Sequence, residues 1–229
     1  MKESNIKKLR KFIAIIIAGL LVIALIKLLP TFASLVTEEG RIAFEHKIEL
    51  LGMKGIFAII ALQICKIILV FLPGEPIELL AGMCYGPVLG MIAIYIGVII
   101  SNILIICAVK KYGVKFVRDV IPDEKIVKIS KMITDNPGKI EITLFVLYFL
   151  PALPKDFITY IASLLPIAKK TVLGVSILGR FPAVFSSVLV GSRIIAGDLK
   201  SIILIYLVTY IISGMITMFY NKRKESRNG

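Results

Sequence analysis

Cysteine and histidine are scarce in this chain, and so is every signature of catalytic chemistry. Among 229 residues there are three cysteines, Cys65, Cys84 and Cys107. Each lies in an apolar run with no pairable spacing, so they read as small buried hydrophobes and not as a disulfide framework. The one histidine, His46, falls in a stretch that reads as a polar loop, and there is no Cys-x-x-Cys. A transition-metal centre is therefore not expected, and neither is any other metal or cofactor. There is no Walker phosphate loop, no Gly-x-Ser-x-Gly elbow and no dinucleotide fingerprint. The chain is not expected to be an enzyme, and any transport it performs is not driven by ATP bound to it. Acidic residues are few as well, 15 against 28 Lys and Arg, for a net charge of +13. In a soluble protein that excess would point to nucleic acid, but no zinc spacing or aromatic RNA-binding pattern accompanies it, and no nucleic-acid partner is expected.

Apolar residues are what the chain has in abundance. They make up 58% of it, with a mean hydropathy of +0.92, well above the composition of a soluble domain. The reading is an integral membrane protein whose charges are clustered between apolar runs. The first run, 12–29, follows Lys7, Lys8, Arg10 and Lys11 as a signal peptide would, but it is longer than a cleaved signal and is expected to stay as an anchor. Further runs cover 56–72, 88–109, 140–150, 171–190 and 201–219. A bilayer core of about 30 Å needs about 20 helical residues. The runs at 56–72 and 140–150 are comparatively short, and each ends on a double-proline segment, where missing amide donors and ring clash stop a helix, so those two read as broken.

Those two segments resemble each other. Phe71-Leu72-Pro73-Gly74-Glu75-Pro76-Ile77-Glu78 and Phe149-Leu150-Pro151-Ala152-Leu153-Pro154-Lys155-Asp156 agree at five of eight positions, counting Glu78 with Asp156. Each follows an apolar helix, precedes a second apolar stretch and is followed by a full-length span, which makes an internal repeat of about 78 residues. Interrupted hydrophobic segments in corresponding halves point to a transporter-type site near the midplane. Pro73, Pro76, Pro151 and Pro154 are the expected helix breakers.

Charge placement decides between turning back and passing through. If both segments are re-entrant hairpins and the N-terminus is cytoplasmic, the inside pieces carry 19 Lys and Arg against 5 outside, a strong positive-inside bias. Full crossings would move the eight basic residues of 110–139 outside. The expected fold is therefore an all-α polytopic membrane protein, an inverted repeat of two re-entrant helical hairpins plus about four full transmembrane helices. Its parts are an anchor and external loop (1–55), a repeat-bearing unit (56–191) and a C-terminal helix with a basic tail (192–229). The chain is expected in the cell membrane, multi-pass, with both termini cytoplasmic.

Glu75, Glu78, Lys155 and Asp156 fall at the hairpin tips, and Arg180 lies within an apolar run. An ionisable group at the bilayer centre costs about 3 kcal/mol on insertion scales, so five together need partners or water. Two readings stand side by side: structural ion pairs locking the hairpins, or a polar pathway for a headgroup, an ion or protons, extended by Gln63 and Lys66. Gly82, Gly86 and Gly90 recur every fourth position and read as helix-packing contacts. Around 123–136, Ile126, Ile129 and Ile133 form one stripe with Lys125, Lys128 and Lys131 nearby, the pattern of an amphipathic interfacial helix attracted to anionic lipid, or of a merely solvated face.

These residues resemble a known family. Pro73-Gly74-Glu75-Pro76-x-Glu78, Ala81-Gly82, Tyr85-Gly86 and Gly90, then Pro151-x-x-Pro154-Lys155-Asp156 and Tyr160, then Gly179-Arg180-x-Pro182 and Gly191, are similar to the VTT-domain proteins. These are also called the SNARE-associated Golgi protein or DedA superfamily, here of its bacterial branch. The resemblance covers roughly 56–191 and implies two opposed re-entrant hairpins and lipid translocation, by phospholipid scrambling or by recycling of lipids such as polyprenyl phosphate, in some members linked to protons. Glu75 and Glu78 match the acidic positions of the family's first hairpin, and Asp156 matches the polar position after the second proline pair. The chain departs from it at Tyr148-Phe149-Leu150, where many relatives place an arginine, and at Ser163, where glycine is common; Lys155 is a candidate replacement for the missing cation. The expected function is a lipid transporter or scramblase, with membrane lipids, anionic headgroups among them, as partners. The alternatives are a proton-coupled or ion transporter for a small solute and a non-transporting membrane scaffold. A homo-oligomer is left open.

Overall fold

The computed structural model of the chain describes residues 34–35, 37–70, 74–134, 140–149 and 154–228, with isolated positions 16, 19, 23 and 30 before them. The expected anchor at 12–29 (those isolated positions apart), the helix breakers Pro73 and Pro151, and the Asn136-Pro137-Gly138 turn lie outside the described residues. Every regular element among the described residues is an α-helix: α1 Glu38–Leu69, α2 Glu75–Val120, α3 Asp123–Thr134, α4 Ile140–Phe149, α5 Lys155–Ala162, α6 Lys169–Ile195 and α7 Leu199–Asn228. Four segments, all of α1, α2 and α6 and Leu199–Ile216 of α7, are long and apolar enough to cross a membrane.

The first helix begins earlier than its composition implies. The Thr37 hydroxyl accepts the Gly40 amide at 3.2 Å, and Glu38 and Glu39 fill the first turn, where carboxylates complement the helix dipole. The stretch expected as an external loop is therefore largely helical, and His46 sits exposed on that helix, not in a loop. Gly52, with φ of 47°, breaks α1, so the apolar part is 53–69. The helix ends on Val70 in the left-handed region, φ 65°, a strained conformation for a β-branched residue.

The second helix is continuous only in its hydrogen-bonding pattern. At Gly86, φ 71°, followed by Pro87, the chain turns sharply. A methyl group on Gly90 would lie 2.6 Å from the Ala81 carbonyl oxygen, which nine residues of straight helix could not allow. So 75–85 folds back on the helix that starts at 87. Of the three glycines expected to pack, Gly90 closes on this turn and Gly82 abuts the Val188 carbonyl of α6. Gly86 has open space around its α-carbon and serves instead at the turn, where an L side chain is strained.

The same order recurs later. Helix α4 is followed, after residues outside the described ones, by the short α5, then by a turn at 163–168 and the long α6. Ser163 has an ordinary right-handed conformation and its hydroxyl donates to the Thr159 carbonyl at 2.7 Å, so the position makes no demand for glycine. Helix α6 is the hub, in contact with α2, α4, α5 and α7.

Helix α3 is amphipathic as its stripe predicts, but its apolar side is already used. Ile129 and Ile133 are buried against the protein, where α3 meets α4 and α5, while Lys125, Lys128 and Lys131 are exposed. Its isoleucines pack in the core and are not free to enter lipid. At the other connection, the Asp198 carboxylate accepts the Ser201 amide at 3.1 Å and the Ser201 hydroxyl, capping α7; these hydrogen bonds hold its pKa below the usual value.

The glycine contacts make a direct prediction. Gly82→Ala and Gly191→Ala force a methyl onto the Val188 and Leu79 carbonyls and are expected to destabilise the protein by about 1–3 kcal/mol each. Gly174→Ala meets nothing within 4 Å and is expected to leave thermal unfolding in detergent unchanged or slightly raised.

Candidate functional site

The ends of the two broken segments meet on one carboxylate. Asp156, on the first turn of α5, receives Arg180 Nη1 on Oδ1 at 2.7 Å and Lys66 Nζ on Oδ2 at 3.1 Å. All three are buried, at 4%, 3% and 6% relative exposure. The chain positions them by simple means. Lys66 occupies the last turn of α1, where a cation complements the helix dipole. Asp156 occupies the first turn of α5, where an anion does. Arg180 comes from the middle of α6, beside Gly179. A methyl on Gly179 would lie 2.5 Å from Tyr148 Cβ, so glycine lets α6 approach α4 closely enough to lay Arg180 over the Tyr148 ring, 5.5 Å from its centroid.

A second set of hydrogen bonds locks this triad. Arg180 Nη2 donates to Thr159 Oγ1 at 3.0 Å, and Thr159 Oγ1 shares a hydrogen bond of 2.8 Å with the Tyr148 hydroxyl. The Tyr160 hydroxyl donates to the Ile68 carbonyl at 2.9 Å, satisfying one of the carbonyls that the end of α1 leaves without a helical partner. The end of α1 is thus held to α5 by an ion pair and a cap.

Glu78, Lys155 and Glu75 are arranged around the triad. Gly74 lies between Lys66 and Glu78: a methyl there would be 2.6 Å from Lys66 Nζ and 3.3 Å from Glu78 Oε1. Glu78 is buried at 8% exposure. Lys155 is half-buried and lies within electrostatic reach of Glu78, Arg180, Lys66 and Asp156. Glu75 is exposed one turn away, on the side of Tyr206 in α7. Four of the five expected site residues, Glu78, Lys155, Asp156 and Arg180, therefore come together, and Glu75 stands at the edge. The cations on Asp156 are Lys66 and Arg180. Pro76 lies in the first turn of α2 and Pro154 caps α5, each a helix start and not an interior break.

Thr159, Tyr148 and Tyr160 were not singled out as site residues from the sequence. Thr159 follows Asp156 by three residues, hence shares its helix face, and that spacing was the available signal. Tyr148 and Tyr160 are fully buried aromatics with hydroxyls that need partners.

Several membrane-length helices enclosing a buried charge cluster define a helical multi-pass membrane protein, built around the junction of two broken segments. Residues 72–193 match the VTT domain, and the chain belongs to that family, the SNARE-associated/DedA proteins. No curated protein and no solved structure matches the chain significantly.

The triad predicts an order of damage. Asp156→Asn leaves two buried cations without their counter-charge and is expected to cost about 3–5 kcal/mol. Lys66→Met, which leaves the Asp156–Arg180 pair intact, is expected to cost less, and the double variant less than the sum of the two. Thermal unfolding of the four proteins as a double-mutant cycle checks this.

Proposed function

We propose that this protein moves lipid headgroups across the cell membrane, through a polar pathway where two re-entrant hairpins of inverted topology meet. The observation that carries the reading is the cluster itself: three buried or half-buried cations, Lys66, Lys155 and Arg180, against two carboxylates, Glu78 and Asp156. An excess of one positive charge favours a phosphate-bearing headgroup, of a phospholipid or a polyprenyl phosphate, while the acyl or prenyl tails stay in the hydrocarbon. Membership of the VTT family supports a transporter-like role. The reading needs no bond-making chemistry, and of the two carboxylates Glu78 is the candidate for a proton link, since two cations hold Asp156.

Support for the hairpins comes from the chain order. Twice a helix ends at a proline-flanked tip, a short helix follows and a long helix crosses. With both termini cytoplasmic, the basic residues of 110–139, 169–170 and 222–227 face anionic cytoplasmic lipid. The tight pairing of Asp156 favours a second reading, a scaffold in which the charges only lock helices together. An ion or small-solute transporter using the same carboxylates has no separate observation in its favour.

Dithionite quenching of fluorescent phospholipid in proteoliposomes tests the choice. The protein is expected to accelerate exchange between leaflets, and Glu78→Gln or Lys155→Ala to slow it about tenfold, or ~1.4 kcal/mol of barrier, with folding retained. No acceleration by the wild type would favour the scaffold, and wild-type rates in both variants would overturn the assignment of the pathway to this cluster. A labelling experiment tests the topology: Lys125→Cys is expected to resist an impermeant thiol reagent in intact cells and to react in inverted vesicles. Reaction in intact cells would reject the two-hairpin arrangement.

A further inference from the structure

Three buried side-chain atoms have no hydrogen-bond partner among the described residues: Gln63 Oε1, Asn102 Oδ1 and Arg180 Nε. They are not scattered. Gln63 precedes Lys66 by three residues on α1, and Ser176 precedes Arg180 by four on α6, so each pair shares a helix face about 5–6 Å apart. Between those faces α2 supplies Gly97, Ser101 and Asn102. A methyl on Gly97 would lie 2.8 Å from Gln63 Cβ, and the Ser101 hydroxyl donates to the Gly97 carbonyl at 2.6 Å. Asn102 Nδ2 donates to Ser176 Oγ at 2.7 Å, and the Ser176 hydroxyl donates to the Leu173 carbonyl at 2.8 Å. The Lys66–Asp156–Arg180 bridge closes the circle. The result is a ring of polar side chains from four helices, and Gln63, Ser101, Asn102 and Ser176 in it are at most 1% exposed.

The donor and acceptor inventory selects the occupant. An anion would satisfy Arg180 Nε–H but would face two amide oxygens. A cation would suit the amide oxygens but would be repelled by Lys66, Lys155 and Arg180, which outweigh Asp156 and Glu78 by one charge. Water both donates and accepts, and buried polar groups left over by the protein are the usual partners of internal water. We propose that this ring encloses an internal water site, in which water donates to Gln63 Oε1 and Asn102 Oδ1 and accepts from Arg180 Nε–H. The site hydrates the one edge of the guanidinium that Asp156 and Thr159 leave free, and so helps to keep Arg180 charged inside an apolar protein. It does not depend on the lipid-transport reading and stands equally for a scaffold.

X-ray radiolysis, which generates hydroxyl radicals from bound as well as bulk water, tests the site on the full chain in nanodiscs. Tyr148 is 0% exposed and lies against Arg180; it is expected to be oxidised in the wild type, and severalfold less in Gln63→Met. Absence of Tyr148 oxidation in the wild type would overturn the proposal whether or not the variant folds. Thermal unfolding gives a second readout. Losing a water acceptor, Gln63→Met is expected to lower the midpoint by roughly 2–4 °C, whereas in a dry ring the same apolar swap would raise it. A wild-type midpoint that rises when sodium replaces choline would also overturn the proposal, in favour of a cation.

Discussion

The Asp156 carboxylate is the point on which the described structure converges. It is one anion shared by two cations from distant parts of the chain, Lys66 at the end of α1 and Arg180 in the middle of α6. Removing charged groups from water is expensive, and the attraction within a buried pair offsets that cost only when the geometry is good and remaining donors are satisfied. Here Thr159 takes the second amine of Arg180, the Tyr148 ring lies beneath the guanidinium, and Tyr160 caps the adjacent helix end. The charges fix which helix ends meet, and the surrounding polar groups make that choice tolerable. The apolar remainder of the helices supplies packing but little directional information, since lipid is as apolar as leucine.

Glycine performs the complementary task of bringing backbones close. Gly82 and Gly191 pack α2 against α6 through opposite carbonyls, and Gly179 sets α6 against Tyr148. The α2–α6 contact and the Arg180 placement are therefore parts of one design. A helix that could not approach so closely would leave the guanidinium short of Asp156.

Much of this was legible in the sequence, for identifiable reasons. Apolar runs set the helices, because spanning segments must satisfy their own backbone groups. The repeated proline segments and the five ionisable residues singled out four members of the cluster, since charge among apolar residues is costly enough to require a purpose. Four features were not legible. The helical character of 38–51 was hidden because charged residues interrupt its apolar ones, although Thr37-Glu38-Glu39 is a helix-start signal. The role of Gly86 as a turn looked like packing, because the four-residue spacing of glycines fits both. The pairing of Asp156 with Lys66 was invisible, because nothing local says which of several cations from separate helices will reach a given carboxylate. The isoleucine stripe of α3 likewise declares an apolar face without saying whether protein or lipid covers it.

Val70 adds a consequence. A valine held left-handed stores about 1–3 kcal/mol of backbone energy, and it sits one turn beyond Lys66, where the first tip begins. That stored energy opposes the ion pair. The junction of the two segments is therefore a shallower energy well than its charges alone imply, and unwinding the last turn of α1 gives back part of what separating Lys66 from Asp156 costs.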